Sequence, residues 1–164
     1  MALTYSSNNT ITINLSALAS SSSFLSGRES DQIDNTGDKF VDAIVGGSFI
    51  VGTTPAITGG LKVFVWGADT SLATTALDVL DGVDSAETFT STSLGATVVP
   101  ALFVPVVVAT SDTKYIVRDF SVAAALGLPV LPTFWGLVVA HNMTAALKTD
   151  AGNTNAFSYY GITL

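Results

Sequence analysis

LKVFVW, the stretch from Leu61 to Trp66, decides the fold. Read with a period of two, Leu61, Val63 and Val65 share one face and Lys62, Phe64 and Trp66 the other. Both faces are apolar apart from one lysine. A strand that faces water on one side alternates apolar with polar residues, so a strand apolar on both sides belongs between layers. Branched and aromatic side chains favour the pleated backbone, and glycines at 59, 60 and 67 bound the run.

Working outward, the same composition recurs in Phe40 to Val51, Tyr115 to Val122 and Phe134 to Ala140. The Gly46-Gly47 pair inside the first of these predicts a bulge or bend. Further strands are predicted in Val98 to Ala109, in the tail from Asn155 to Leu164, in Ala86 to Thr90 and in the alternating TITINL of Thr10 to Leu15. About eight strands joined by turn-rich links, not by helices, predict an all-β antiparallel sandwich. The jelly roll is the nearest named architecture, and a seven-stranded immunoglobulin-like sandwich is the alternative.

A chain of 164 residues suits one domain. Residues 1–26 are Ser-rich and read either as an extended N-terminal arm that orders on a neighbour or as an edge strand; residues 27–164 form the sandwich. Leu72, Ala73, Ala76, Leu77 and Leu80 recur near helical spacing after a capping Ser71, which predicts a short helix. VAAAL, Val122 to Leu126, ends at Gly127 and Pro129 and predicts a single helical turn.

Charged residues make up 12 % of the chain, half the roughly 25 % of an average domain, and mean hydropathy is positive. Too few charges remain to coat a solitary surface. The longest apolar run, Leu94 to Ala109, is broken by Pro100 and Pro105 and falls short of the about 20 residues a spanning helix needs. MALTYSSNNT has neither the basic start nor the apolar run of a secretory signal, so the expectation is a soluble chain used where it is made, without membrane partners. With six basic residues against thirteen acidic ones and a net charge of −7, nucleic acid is not an expected partner. The absence of cysteine excludes disulfides and thiolate metal sites.

Candidate chemistry is sparse. His141 is the one histidine and closes the apolar run GLVVAH, where it reads as a strand-end residue bonding a turn. DGVDSAE carries Asp81, Asp84 and Glu87, a possible acid pair or calcium ligand set, but Asp81-Gly82 is a common turn pair and the EF-hand order is missing. Trp66, Trp135, Tyr159 and Tyr160 would be the residues of a sugar-stacking platform; the strand context of both tryptophans favours core packing. The tandem tyrosines point to opposite faces. No catalytic, cofactor or metal residues are assigned. The densest polar stretch, GRESDQIDNTGDKFVD from Gly27 to Asp42, holds seven charges; Arg28, Glu29, Asp31, Asp34 and Asp38 form either a polar contact with another chain or a solvated loop.

The succession GRESDQIDN, FVDAIVGG, LKVFVWGA, VLDGVDSAETFTS, YIVRDFSVAAALGLP and WGLVVAHNMTAAL resembles a group of small virion structural proteins of tailed bacteriophages, over nearly the whole chain from Gly27. The pattern departs at Gly127-Leu128-Pro129, where a Gly-Gly pair is usual. The resemblance implies a non-enzymatic capsid decoration (cement) subunit, a jelly roll on the capsid exterior, made in the host cytoplasm. Its implied partners are the major capsid protein and sister copies in a homotrimer. It brings no cofactor and no catalytic residues. A tail or neck component and a virion-borne carbohydrate-binding module are the alternatives.

Overall fold

The computed structural model describes residues 2–154 and 156–164. Eleven strands run β1 (Thr4–Tyr5), β2 (Asn9–Ile11), β3 (Ser26–Glu29), β4 (Ile33–Asp34), β5 (Asp42–Ile50), β6 (Gly60–Ala68), β7 (Ala86–Thr88), β8 (Val99–Pro105), β9 (Lys114–Ser121), β10 (Phe134–His141) and β11 (Phe157–Thr163). Two short helices, α1 (Ser91–Thr97) and α2 (Val122–Leu126), interrupt them. Every ladder is antiparallel. A five-stranded sheet has the order β1-β11-β5-β9, with β2 also on β11; a six-stranded sheet has the order β7-β3-β10-β6-β8, with β4 also on β10. The two sheets pack together as an all-β sandwich.

Strand β6 does what its two apolar faces predict. Leu61, Val63 and Val65 enter the core between the sheets with Val45, Phe49, Val117, Leu137 and Phe157. Phe64 and Trp66 point the other way, into a second apolar cluster with Val138 and Ala140 of β10 and with Leu72, Leu80, Phe89 and Val98. The cover is a flap, residues 69–98, whose strand β7 joins the edge of the six-stranded sheet and whose loops and α1 lie over its outer face. Gly136 makes room for it: a Cβ there would stand 2.6 Å from the Trp66 ring.

The ladder is irregular at the glycine pair, but the extra residue lies in the partner strand β9 and not in β5. Val45 pairs with Phe120 and Gly47 with Val117, so Arg118 and Asp119 together face the single residue Gly46. At Gly46 the exposed Asp119 carboxylate lies where a side chain would begin, so a larger residue there would make that carboxylate swing aside. VAAAL forms α2, capped by the Ser121 hydroxyl and ended by Gly127 at φ 69.

Residues 2–26 are built into the fold: β1 and β2 pair with β11, and Ile11, Ile13 and Leu15 are fully buried in the core. The helix predicted over Leu72 to Leu80 is absent. Its spacing reflects a loop that buries Leu72 and Leu80 on one side, with Asp78 at φ 58 and a bridge between Leu77 and Leu80. A helix forms instead at Ser91–Thr97, nucleated by a reciprocal cap between Thr90 and Ser93. The tail strand starts at Phe157; Asn155, where it was predicted to begin, lies outside the described residues.

Candidate functional site

The densest polar chemistry lies where β3 and the turn after it grip the flap. Glu29 is fully buried, with Oε2 accepting the Asp81 N–H at 3.2 Å and Oε1 the Gly82 N–H at 3.1 Å. The Glu29 N–H donates to the Ser85 carbonyl, and the Gln32 N–H to the Gly82 carbonyl. Gln32 also donates through Nε2 to the Ser71 hydroxyl and accepts the Leu72 N–H at Oε1. Asp31 accepts the Asp84 N–H at 2.8 Å, and Arg28 pairs with the Asp84 carboxylate while donating to its carbonyl. The polar segment is a latch that holds the flap closed over the second apolar cluster.

That finding relocates the residues proposed from sequence as an interface. Glu29 has no exposed surface, and Arg28 and Asp31 are half-buried and engaged inside the chain. Only Asp34 and Asp38 are exposed. Asp34 accepts the Thr36 N–H, and the Thr36 hydroxyl and N–H hold its carboxyl below the usual carboxylate range. Three of the five residues thus make their hydrogen bonds and ion pair inside the chain.

One oxygen each from Glu29, Asp81 and Glu87 lie within 4.8 Å of one another. Burial pushes the Glu29 carboxyl up to about 8, the two backbone N–H groups resisting and the Asp81 and Glu87 charges assisting. At neutral pH Glu29 therefore holds a proton, which removes one of three crowded charges. Both of its oxygens already serve backbone donors, which leaves Asp81 and Glu87 as the ligands a hard cation would find first. In the sequence Asp81, Asp84 and Glu87 stand as a group and read as a solvated turn. No signal there shows that Glu29 joins them from across 52 residues.

His141 closes β10 and is fully buried. Its Nε2 lies 2.8 Å from the Leu18 carbonyl and its Nδ1 receives the Met143 N–H, which fixes the neutral tautomer with the proton on Nε2. The strand-end reading is what the structure shows. Burial holds the imidazole below its ordinary pKa, against the pull of the Leu18 carbonyl. A group held low contributes stability above its unfolded pKa of about 6.5 and loses it as pH falls. His141→Gln is expected to flatten the acid side of the stability profile below about pH 6.5, measured by urea unfolding across pH 5 to 7. Asp119 sits on the opposite sheet, and the hydrogen bonds of Asp84 go to Arg28 and Asn14, so these acids are not brought to the imidazole.

Both tryptophans are core residues with no exposed surface, and Tyr159 is 8 % exposed against 44 % for Tyr160. Trp135 stands edge-on to Tyr159 with centroids 5.2 Å apart. The four aromatics do not make a platform. Known protein families, curated proteins and solved structures were compared with this chain, and none of them matches it.

Proposed function

We propose that the chain is a non-enzymatic structural subunit of a bacteriophage virion, a capsid decoration protein that stabilises the head by bridging major capsid proteins. The observation that carries this reading is the surface. Leu3, Tyr5, Ile57, Phe103, Val107, Ile116, Val130 and Leu164 are each more than two-fifths exposed in a chain with 12 % charged residues. Apolar side chains spread over several faces, with few charges between them, suit a subunit covered by neighbours in an assembly. The resemblance of the GRESDQIDN to WGLVVAHNMTAAL succession to phage virion proteins supplies the kind of assembly. A jelly-roll wiring of the sandwich belongs to the same reading.

The carbohydrate-binding alternative loses its ligand surface, since three of its four aromatics are buried. Tail and head positions are separated by one experiment. The chain is expected to co-purify with intact particles through a density gradient and to occupy density on the outer head surface in an electron-microscopy reconstruction. Recovery only from the soluble fraction of the lysate, with no density assignable on the particle, overturns the proposal.

A further inference from the structure

The two outer faces of the sandwich differ in their cover. The flap closes the six-stranded sheet, whereas the five-stranded sheet presents its outer face to solvent. The ladders align Tyr5 with Ile162, Tyr160 with Ile44 and Ser121, Ser158 with Gly46, Ser48 with Ile116, and Ile50 with Lys114. All these side chains point away from the core, because Ala43, Val45 and Phe49 of β5 point into it. Tyr5, Ile116 and Tyr160 are 65, 67 and 44 % exposed, and Ile44, Ile50 and Ile162 are partly exposed.

Charge decides what can cover such a face. Of thirteen acids and six bases, the strands of this sheet carry two of each, Asp42 and Asp119 with Lys114 and Arg118. The whole net charge of −7 therefore resides elsewhere on the molecule. Two copies of so acidic a chain repel each other in most orientations, and this neutral face is where they can approach without that penalty.

We propose that the outer face of the five-stranded sheet binds the same face of a second copy, the two sheets stacking about 10 Å apart in a two-fold pair and not in the homotrimer that the resemblance implies. The proposal rests on the reading of the chain as a docking subunit and names the surface for one of its contacts. Strand β5 is nine residues long; with β1, β11 and β9 beside it the face measures roughly 30 Å by 15 Å, so a pair buries about 1,000 Å². An area at that lower bound is typical of weak, reversible contacts, so the pairing is expected to depend on concentration.

Sedimentation equilibrium of the full chain at about 5 to 200 μM is the test. The wild type is expected to shift from monomer to dimer across that range. Ile116→Glu and, independently, Tyr160→Glu place a charge on an exposed position of the face and are expected to weaken association at least 10-fold with unchanged circular dichroism. Val83→Glu, at an exposed apolar position of the flap on the opposite side of the sandwich, is expected to leave association intact. A wild type that stays monomeric at about 200 μM overturns the proposal and leaves the face to a different chain. Face variants that dimerise as well as the wild type, or loss of the dimer in Val83→Glu, overturn it equally. A monomer that still binds heads would end this inference and keep the particle reading; a dimer that never meets a particle would do the reverse.

Discussion

Raising the pH from 5 to 9 is expected to weaken the folded state by about 4 kcal/mol through Glu29 alone. The sign follows from the direction of the shift. The Glu29 carboxyl is raised from 4.5 in the open chain to about 8 in the fold, so folding favours its protonated form. That contribution is fully present below pH 4.5 and is lost as the pH climbs to about 8, where the buried group finally ionises. Above that point the carboxylate faces Asp81 and Glu87 with only two backbone N–H groups to compensate. The region that loosens first is the latch, because the same carboxylate holds the Asp81-Gly82 turn.

Glu29→Gln isolates the effect. The amide keeps one acceptor oxygen and cannot ionise, so the variant is expected to be less stable than the wild type at pH 5 and as stable or more so at pH 9. Urea unfolding of both proteins at pH 5, 7 and 9 reads it directly. Parallel profiles for the two would show that Glu29 titrates normally and that the latch is not proton-dependent. The His141 contribution runs the opposite way between pH 6.5 and 4.5, so in the Glu29→Gln background the acid loss should stand out alone.

Trp66→Ala is the second large effect, a loss of about 3 to 5 kcal/mol. The indole is fully buried, lies against Gly136 and is surrounded by Phe64, Leu72, Leu80, Phe89 and Val138. These neighbours come from two strands of a rigid sheet and from a flap held mainly by its own apolar contacts and the latch. The sheet cannot collapse into the space, so the flap must move or a cavity remains. Amide exchange across residues 69–98 is therefore expected to accelerate more than exchange in β5 or β11. Trp66→Phe is the comparison: it keeps an aromatic ring and removes an indole N–H that has no hydrogen-bond partner, so its cost is expected to be well under half as large. Equal acceleration over the whole chain would mean that flap and sandwich open together as one unit.

Much of the sandwich was legible because strand signals are local. The runs at Phe40, Leu61, Val98, Tyr115, Phe134 and the tail became β5, β6, β8, β9, β10 and β11, each within a few residues of its predicted bounds. The strands that escaped notice, β1, β3 and β4, are two to four residues long and polar, too short to show a period. The misplaced helix shows the limit of spacing as a signal. Leu72, Leu77 and Leu80 are spaced for one apolar side, but a loop pressed against a sheet satisfies that condition as well as a helix, and Thr74, Thr75 and Asp78 favour the loop.

The candidate site was legible only in fragments. Its acids were visible as two separate clusters, Arg28 to Asp38, which read as a polar contact or a solvated loop, and Asp81 to Glu87, which read as a solvated turn. Charge-rich sequence is ordinarily exposed sequence, and no residue pattern states that two such stretches will be pressed together.

The sequence alone determined the longer strands, the sandwich and the turn of helix ended by Gly127, because backbone preference and alternation act between residues close along the chain. Only the tertiary structure decided that residues 69–98 close one outer face while the other stays bare, and that Glu29 meets Asp81 and Glu87 in a buried, proton-holding latch. Those outcomes depend on which segments cross in space, and the desolvation that raises the Glu29 pKa exists only once they have crossed.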